Sequence, residues 1–269
     1  MTIEDHKENQ LLLITGCQRS GTTLTGLILD SHSGITYIDE QDFKPEEINS
    51  YLCDKKYAPV VALKLPGVSH LINALYVKKP FIIWCERDPR DVITSMLRLK
   101  LELGTDKQAL WALHPAGAMR EIKEGMRALA RENFLDDKDR QCLAKLKTLR
   151  ITDPLGAHKE AVFLGAFCWR VKQRTKQLYE RLAIPFFTLR YEELVQQPEH
   201  TLRKLFFHAK ITWDEAVLQH HKMHKGVAVG GTIKERAIDP KNIQKWHGLL
   251  DEDDLAVIQD VCSDLGYEL

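Results

Sequence analysis

Four short apolar runs punctuate the 269-residue chain, LLLIT (11–15), VVALK (60–64), FIIWCE (81–86) and PFFTLR (185–190), and each is followed by turn residues and then a helical pattern. That order specifies parallel strands joined by crossover helices. Because the runs are apolar throughout instead of alternating, they predict central strands covered on both faces. The expected architecture is α/β: a three-layer open parallel sheet with helices on both faces.

Between residues 97 and 157 the pattern changes. The segments MREIKEGMRALARENF (119–134) and KDRQCLAKLKTLR (138–150) are helical with no strand between them, which predicts a helical insertion. A long helix then follows at 160–182, its cations gathered toward the end that the helix dipole makes negative. With 44% hydrophobic residues the chain can bury a large core, and it reads as one domain over 1–269 with residues 1–10 as a flexible polar start. Thirty-eight basic residues balance thirty-eight acidic ones, which excludes bulk electrostatic attraction to nucleic acid or to an anionic membrane. An anion site on this chain has to be local. The apolar run at 11–15 is too short for a signal-peptide core or a membrane span, so a soluble cytoplasmic protein is expected. The six cysteines lack CxxC pairing and fit reduced thiols, mostly core fillers.

The turn after the first run, GCQRSGTT (16–23), occupies the place where open parallel sheets bind phosphate. Consecutive backbone N–H groups and the positive end of the following helix can hold an anion there, with Thr22 and Thr23 adding hydroxyls. Gly16 and Gly21 supply the turn conformations. Residue identity separates the candidate chemistries. A nucleotide-hydrolysing loop places lysine after its second glycine, where this chain has Thr22. A cysteine phosphatase using Cys17 would need an arginine six residues on, and that position is Thr23. After the third run comes ERDPRDVITSML, in which Arg87 can grip a phosphate through two parallel hydrogen bonds and Ser95 can add a hydroxyl. The competing reading of Arg87 is a surface network with Asp88 or Asp91.

Together these two motifs resemble those of sulfotransferases that use 3′-phosphoadenosine 5′-phosphosulfate, with a P-loop-like fold. The closest in motif are the protein-tyrosine sulfotransferases and bacterial RSGTT-type relatives. The resemblance implies a cation at Arg19 contacting the bridging and transferred oxygens, with Ser20, Gly21, Thr22 and Thr23 completing the 5′ loop. It implies Arg87 and Ser95 on the 3′-phosphate. It nominates Tyr191 in RYEELVQQP (190–198) near the nucleotide, Lys245 on the phosphates and Trp246 for packing. It places the catalytic base at Glu40, within DSHSGITYIDEQ, with Asp39 as the neighbouring bystander, and a transition-state lysine at Lys64, within a K-x-P turn. The closing segment (211–246) is several residues shorter than the family's, and its transition-state serine has no assigned counterpart; Thr232 is one option.

The implied reaction moves a sulfuryl group to an acceptor hydroxyl, leaves adenosine 3′,5′-bisphosphate as product and needs no metal. The rivals are a nucleotide kinase or hydrolase of the same fold and a non-catalytic nucleotide-binding protein. Despite the motif similarity, the lack of a membrane anchor argues against a Golgi enzyme acting on secreted tyrosines. The expected acceptor is a small metabolite, a carbohydrate or a carrier-bound alcohol, bound by the insertion and the loop near Gly230, with His32 and His114 as candidate contributors. No nucleic-acid or membrane partner is expected, and the oligomeric state is not readable. His220 and His224 lie one helical turn apart but lack a third metal ligand or an HExxH glutamate.

Overall fold

The computed structural model describes residues 8–71, 79–103, 115–149, 158–228 and 232–267. Five parallel strands form one sheet: β1 (Gln10–Gly16), β2 (Ile35–Ile38), β3 (Val60–Lys64), β4 (Phe81–Glu86) and β5 (Phe186–Arg190). Their spatial order is β2-β3-β1-β4-β5. The sequence reading missed β2. It has only four residues, and Thr36 and Tyr37 at its centre are half-buried, so it shows no apolar run. β5 departs from the expected central position. It closes the opposite edge, where its first three residues are half-buried and its last is exposed.

The pleat of β1 divides the core. Leu12 and Ile14 point to one face and pack with Ile28 and Leu29 of α1 (Thr22–Asp30) and with Leu202, Leu205 and Phe206. Leu11 and Leu13 point to the other, where they meet Tyr51 and Leu52 of α2 (Ile48–Cys53) and Tyr179. Helices therefore cover both faces, as expected. Each of the fully buried aliphatics stabilises the fold by about 1.5–3 kcal/mol relative to exposure.

A helical layer joins this sheet. It consists of α3 (Pro89–Leu103), α4 (Pro115–Arg131), α5 (Asp137–Thr148) and the long α6 (His158–Arg181). After β5 come α7 (Tyr191–Gln196), α8 (Pro198–Ala209), the one-turn α9 (His220–Met223) and α10 (Glu252–Cys262). α4 and α5 lie within the span expected to be a helical insertion. The start of α5 is docked by Arg170 of α6, which is fully buried. Its guanidinium donates to Asp139 at 2.8 Å, to Asp136 at 2.8 Å and to Asp264 at 2.6 Å. Asp136 and Asp139 also form the capping box that starts α5, so one cation fixes the entry of this helix and the C-terminal segment together. All six cysteines are free thiols and five are buried. Among the described residues no helix is long and apolar enough to cross a membrane.

Candidate active site

The chain leaves β1 toward β2 and β3 on one side, while β4 and β5 lie on the other, so the loop after β1 sits at the topological switch point of the sheet. Its backbone needs both glycines. Gly16 has φ 130°, and a Cβ there would come within 2.2 Å of the Cys85 carbonyl oxygen. Gly21 has φ 91° and faces the ring of Tyr191, which would lie 2.6 Å from an added Cβ. Arg19, at the crest of the loop, holds a left-handed φ of 69°, a conformation that is uncommon outside glycine. α1 begins without a side-chain cap, so its first-turn amides remain available to an anion.

Arg19 Nε donates to Ser95 Oγ at 2.9 Å, and Arg87 Nη1 donates to the Arg19 carbonyl at 3.1 Å. The 5′ loop and the 3′ motif predicted from sequence are thus in direct contact. Arg87 stacks 4.2 Å above the Tyr191 ring and donates to the Asn242 carbonyl at 2.7 Å. Its carbonyl accepts from the indole of Trp169 at 3.0 Å. The surface-network reading of Arg87 holds only in part. Asp91 lies 3.5 Å away, but Asp88 pairs with Arg90 instead, and Arg87 is buried and lines a cavity.

That cavity, about 220 Å³, is lined by Arg19, Gly21, Thr22, Thr23, Arg87, Ser95, Tyr191 and Lys245, eight of the residues singled out for nucleotide binding. Thr232 lines it too. The motifs did not disclose two further cations in its wall, Arg98 and Arg236. Arg98 follows Ser95 by one helical turn, a spacing that could have flagged it. Among the described residues, five cations therefore line the cavity with two carboxylates, Asp91 and Asp239. Burial pushes the Lys245 ammonium below the usual lysine range, and Arg98, Arg236 and Arg87 add repulsion. Ser20 Oγ, Thr94 Oγ1 and Arg87 Nε are buried with no partner among the described residues. Buried orphan donors beside excess positive charge fit a polyanionic ligand.

The cavity is roofed by the closing segment. Asp91 accepts from the backbone N–H groups of Gln244 at 2.8 Å and Trp246 at 3.3 Å. Trp246 stacks on His247 with ring centroids 3.7 Å apart and lies under Arg90, a packing role as expected.

A second cluster forms where β2 and β3 end. Lys64, only 1% exposed, sits 3.1 Å from both Asp39 Oδ2 and Glu40 Oε1. In register it adjoins Ile14, two residues before the phosphate loop. Burial raises the Glu40 carboxyl above the ordinary carboxylate range, and Lys64 opposes that rise. Asp39 also accepts from the Tyr37 hydroxyl at 2.7 Å, so it orients Lys64 and is no bystander. Neither Glu40 nor Lys64 lines the cavity described above.

Behind the loop, Gln18 bonds to Glu121 of α4, and Glu121 lies 3.2 Å from Lys172. Lys172 in turn donates to Ser69 and the Pro66 carbonyl, both at 2.8 Å. These long-range partners had no local signal in the sequence. Cys17 is buried and its thiol is pushed up to about 12, which removes it as a nucleophile. His32 bonds to the Thr212 carbonyl at 2.8 Å and packs on Phe206, a structural role. His224 is taken up by Ser31, Leu27 and Asp30. His114 and Gly230 lie outside the described residues.

A model of the sulfotransferase domain matches residues 9–267. The chain belongs to the sulfotransferase family. Among curated relatives, the protein-tyrosine sulfotransferase of Drosophila melanogaster is 25% identical over 289 residues, covering 98% of this chain and 52% of that protein. Protein-tyrosine sulfotransferase 1 of Danio rerio is 36% identical over 90 residues, covering 29% of this chain and 25% of that protein. This sulfotransferase chain thus spans about half the length, or less, of these curated relatives.

Solved structures share the sulfotransferase fold. The sulfotransferase domain of the Synechococcus PCC 7002 olefin synthase superposes with a TM-score of 0.55 at 16% identity, over 98% of both chains. Mouse sulfotransferase SULT7A1, complexed with PAP, gives 0.56 at 12% identity over 96% of this chain and 84% of that one.

Proposed function

We propose that the protein transfers a sulfuryl group from 3′-phosphoadenosine 5′-phosphosulfate to an acceptor hydroxyl by in-line displacement. The observation that carries this reading is the joining of two anion-gripping motifs, from the ends of β1 and β4, in the wall of one cation-rich cavity. A kinase or hydrolase would need the loop lysine, which Thr22 replaces, and would have no use for a second phosphate grip at Arg87 and Ser95. The complex of mouse SULT7A1 with PAP supports the same choice of nucleotide.

When bound, the donor supplies an activated sulfuryl group whose leaving group is a phosphate. The protein's part is to hold and neutralise charge. The amides of the loop, Thr22 and Thr23 hold the 5′ end, while Arg87, Ser95 and Lys245 hold the 3′-phosphate, with Arg98 and Arg236 adding to the field. Arg19 stabilises charge as the bond between sulfur and the bridging oxygen breaks, and Lys64 adds its positive charge from the end of β3, beside the strand that leads into the phosphate loop. Glu40 takes the acceptor's proton as the new oxygen–sulfur bond forms. Its raised proton affinity suits that task, and Lys64, 3.1 Å away, opposes the rise. The acceptor class is a small metabolite, a carbohydrate or a carrier-bound alcohol, and the reaction takes place in the cytoplasm.

Calorimetry with adenosine 3′,5′-bisphosphate in the presence of EDTA tests the reading against ATP with magnesium. Binding of the bisphosphate that falls at least about tenfold in Arg87→Ala supports it. Binding of magnesium–ATP with no affinity for the bisphosphate defeats it.

A further inference from the structure

Arg19 and Lys64, the two cations assigned to the transferring group, stand in segments that are fixed from behind by the same buried amine. Lys172 of α6 is buried, and its ammonium donates at 2.8 Å both to the Pro66 carbonyl and to Ser69 Oγ. Pro66 follows Lys64 by two residues, and the intervening Leu65 is tied to β1, its N–H donating to the Ile14 carbonyl at 2.9 Å. The turn that ends β3 is therefore pinned from two sides. An ammonium has three donors, and the third neighbour of this one is Glu121 Oε2 of α4, also buried, 3.2 Å away. The other carboxylate oxygen of Glu121 accepts from the Gln18 side chain, and Gln18 immediately precedes Arg19.

As a stabilising device this relay is a poor choice. A buried ion pair gains little over well-packed apolar side chains, because both charges lose their hydration. What it supplies is geometry at its two ends. Arg19 holds its left-handed φ of 69°, a conformation that persists where the surrounding contacts over-determine it. On one side the Ser95 hydroxyl and the Arg87 guanidinium grip Arg19 itself. On the other, Glu121 grips Gln18, next to the buried Cys17 that packs into the core of the helical layer.

We propose that Lys172 and Glu121 form one positioning device that sets the two cations of the transferring group against each other, Lys64 through the Pro66 turn and Arg19 through Gln18. This rests on the sulfuryl-donor reading above and deepens it, because no sequence motif assigned a role to Gln18, Glu121 or Lys172. None of the three lines the nucleotide cavity, so their influence reaches the reaction through Arg19 and Lys64. A displacement of about 1 Å at the reacting group can cost about 10²-fold in rate, even from a residue remote from the chemistry. The grip on the 3′-phosphate by Arg87, Ser95 and Lys245 lies outside the relay and should survive its loss.

The test sets turnover beside binding on the full chain. Turnover is bisphosphate release from 3′-phosphoadenosine 5′-phosphosulfate, with p-nitrophenol or water as acceptor, giving kcat and the donor KM. Binding is calorimetry with adenosine 3′,5′-bisphosphate. Lys172→Met should lower kcat by about 10²-fold, with the donor KM and the bisphosphate affinity within about threefold of the wild type. Gln18→Leu, which cuts only the loop end, should lower kcat by about tenfold. Glu121→Leu should match Gln18→Leu or exceed it, whereas Glu121→Gln, which keeps an acceptor oxygen for Gln18, should stay within about threefold of the wild type. Unchanged kcat in Lys172→Met and Gln18→Leu overturns the inference, as does a fall in bisphosphate affinity equal to the fall in kcat. Equal damage in Glu121→Gln and Glu121→Leu overturns it too. Each of those outcomes leaves the donor reading intact. A wild type that binds no bisphosphate, or releases none from the donor, overturns the donor reading and this inference with it. If Lys172→Met does not fold, Gln18→Leu and the two Glu121 variants decide.

Discussion

Arg19 lies in the loop after β1 and Ser95 within α3 after β4, yet a 2.9 Å hydrogen bond joins the guanidinium of one to the hydroxyl of the other. The cation assigned to charge stabilisation is thereby aimed across the cavity by a residue assigned to the 3′-phosphate. Arg19→Ala is expected to lower kcat by about 10²–10³-fold, the usual cost of removing one preorganised electrostatic group. Its effect on bisphosphate affinity should be much smaller. Single-turnover rates set beside calorimetric affinities would show this, and an equal loss in both would assign Arg19 to binding alone.

Glu40 predicts a pH profile. The base acts when ionised, and burial sets its pKa above the ordinary carboxylate range. kcat/KM should therefore rise with pH through that elevated value and then level off. Glu40→Gln should lower kcat by about 10²–10⁴-fold and abolish the acidic limb. An acidic limb that persists in the variant would move the base elsewhere.

Asp139 tests the docking of the insertion. It is fully buried and pairs with Arg170, which is itself fully buried. Asp139→Ala removes one of the three carboxylates that hold Arg170, leaving Asp136 and Asp264, and should cost about 1.5–3 kcal/mol of stability. Urea unfolding followed by far-UV circular dichroism measures it. A loss below about 1 kcal/mol, the range of exposed pairs, would show that solvent reaches the site.

Gly21 meets the Tyr191 ring with a backbone at positive φ. Gly21→Ala should destabilise the loop by about 1–3 kcal/mol and weaken bisphosphate binding, because Tyr191 carries Arg87 on its face. Thermal melts with and without the ligand report both effects. Unchanged ligand stabilisation in the variant would separate the loop from the Arg87 grip.

What sequence could disclose was whatever chemistry packs into a short stretch. The loop at 16–23 and the Arg87–Ser95 spacing were legible because each sits on one strand–turn–helix unit whose geometry is local. β2 was not legible, since a four-residue edge strand with half-buried centre residues leaves no apolar run. Lys64 could be nominated by its place at a strand end. Its sharing between Asp39 and Glu40 could not, because that depends on β2 and β3 pairing in register. The Gln18–Glu121–Lys172 chain joins residues more than a hundred positions apart along the loop-to-insertion path, and only tertiary packing reveals it. Arg236 stood in a segment already singled out, but nothing there distinguished a cation facing the cavity from one facing solvent.

The carboxylate of Asp91 holds the backbone of the closing segment at Gln244 and Trp246, on either side of Lys245. The anchor point is thus fixed from below, by a residue on α3, and not by the length of chain leading up to it. Residues can be lost or gained between the Val227–Ala228 strand and Asn242 while the ammonium of Lys245 keeps its place. A shorter roof then alters how much of the cavity is covered without altering the grip on the phosphates, and descent with loop-length variation becomes compatible with one unchanged chemistry.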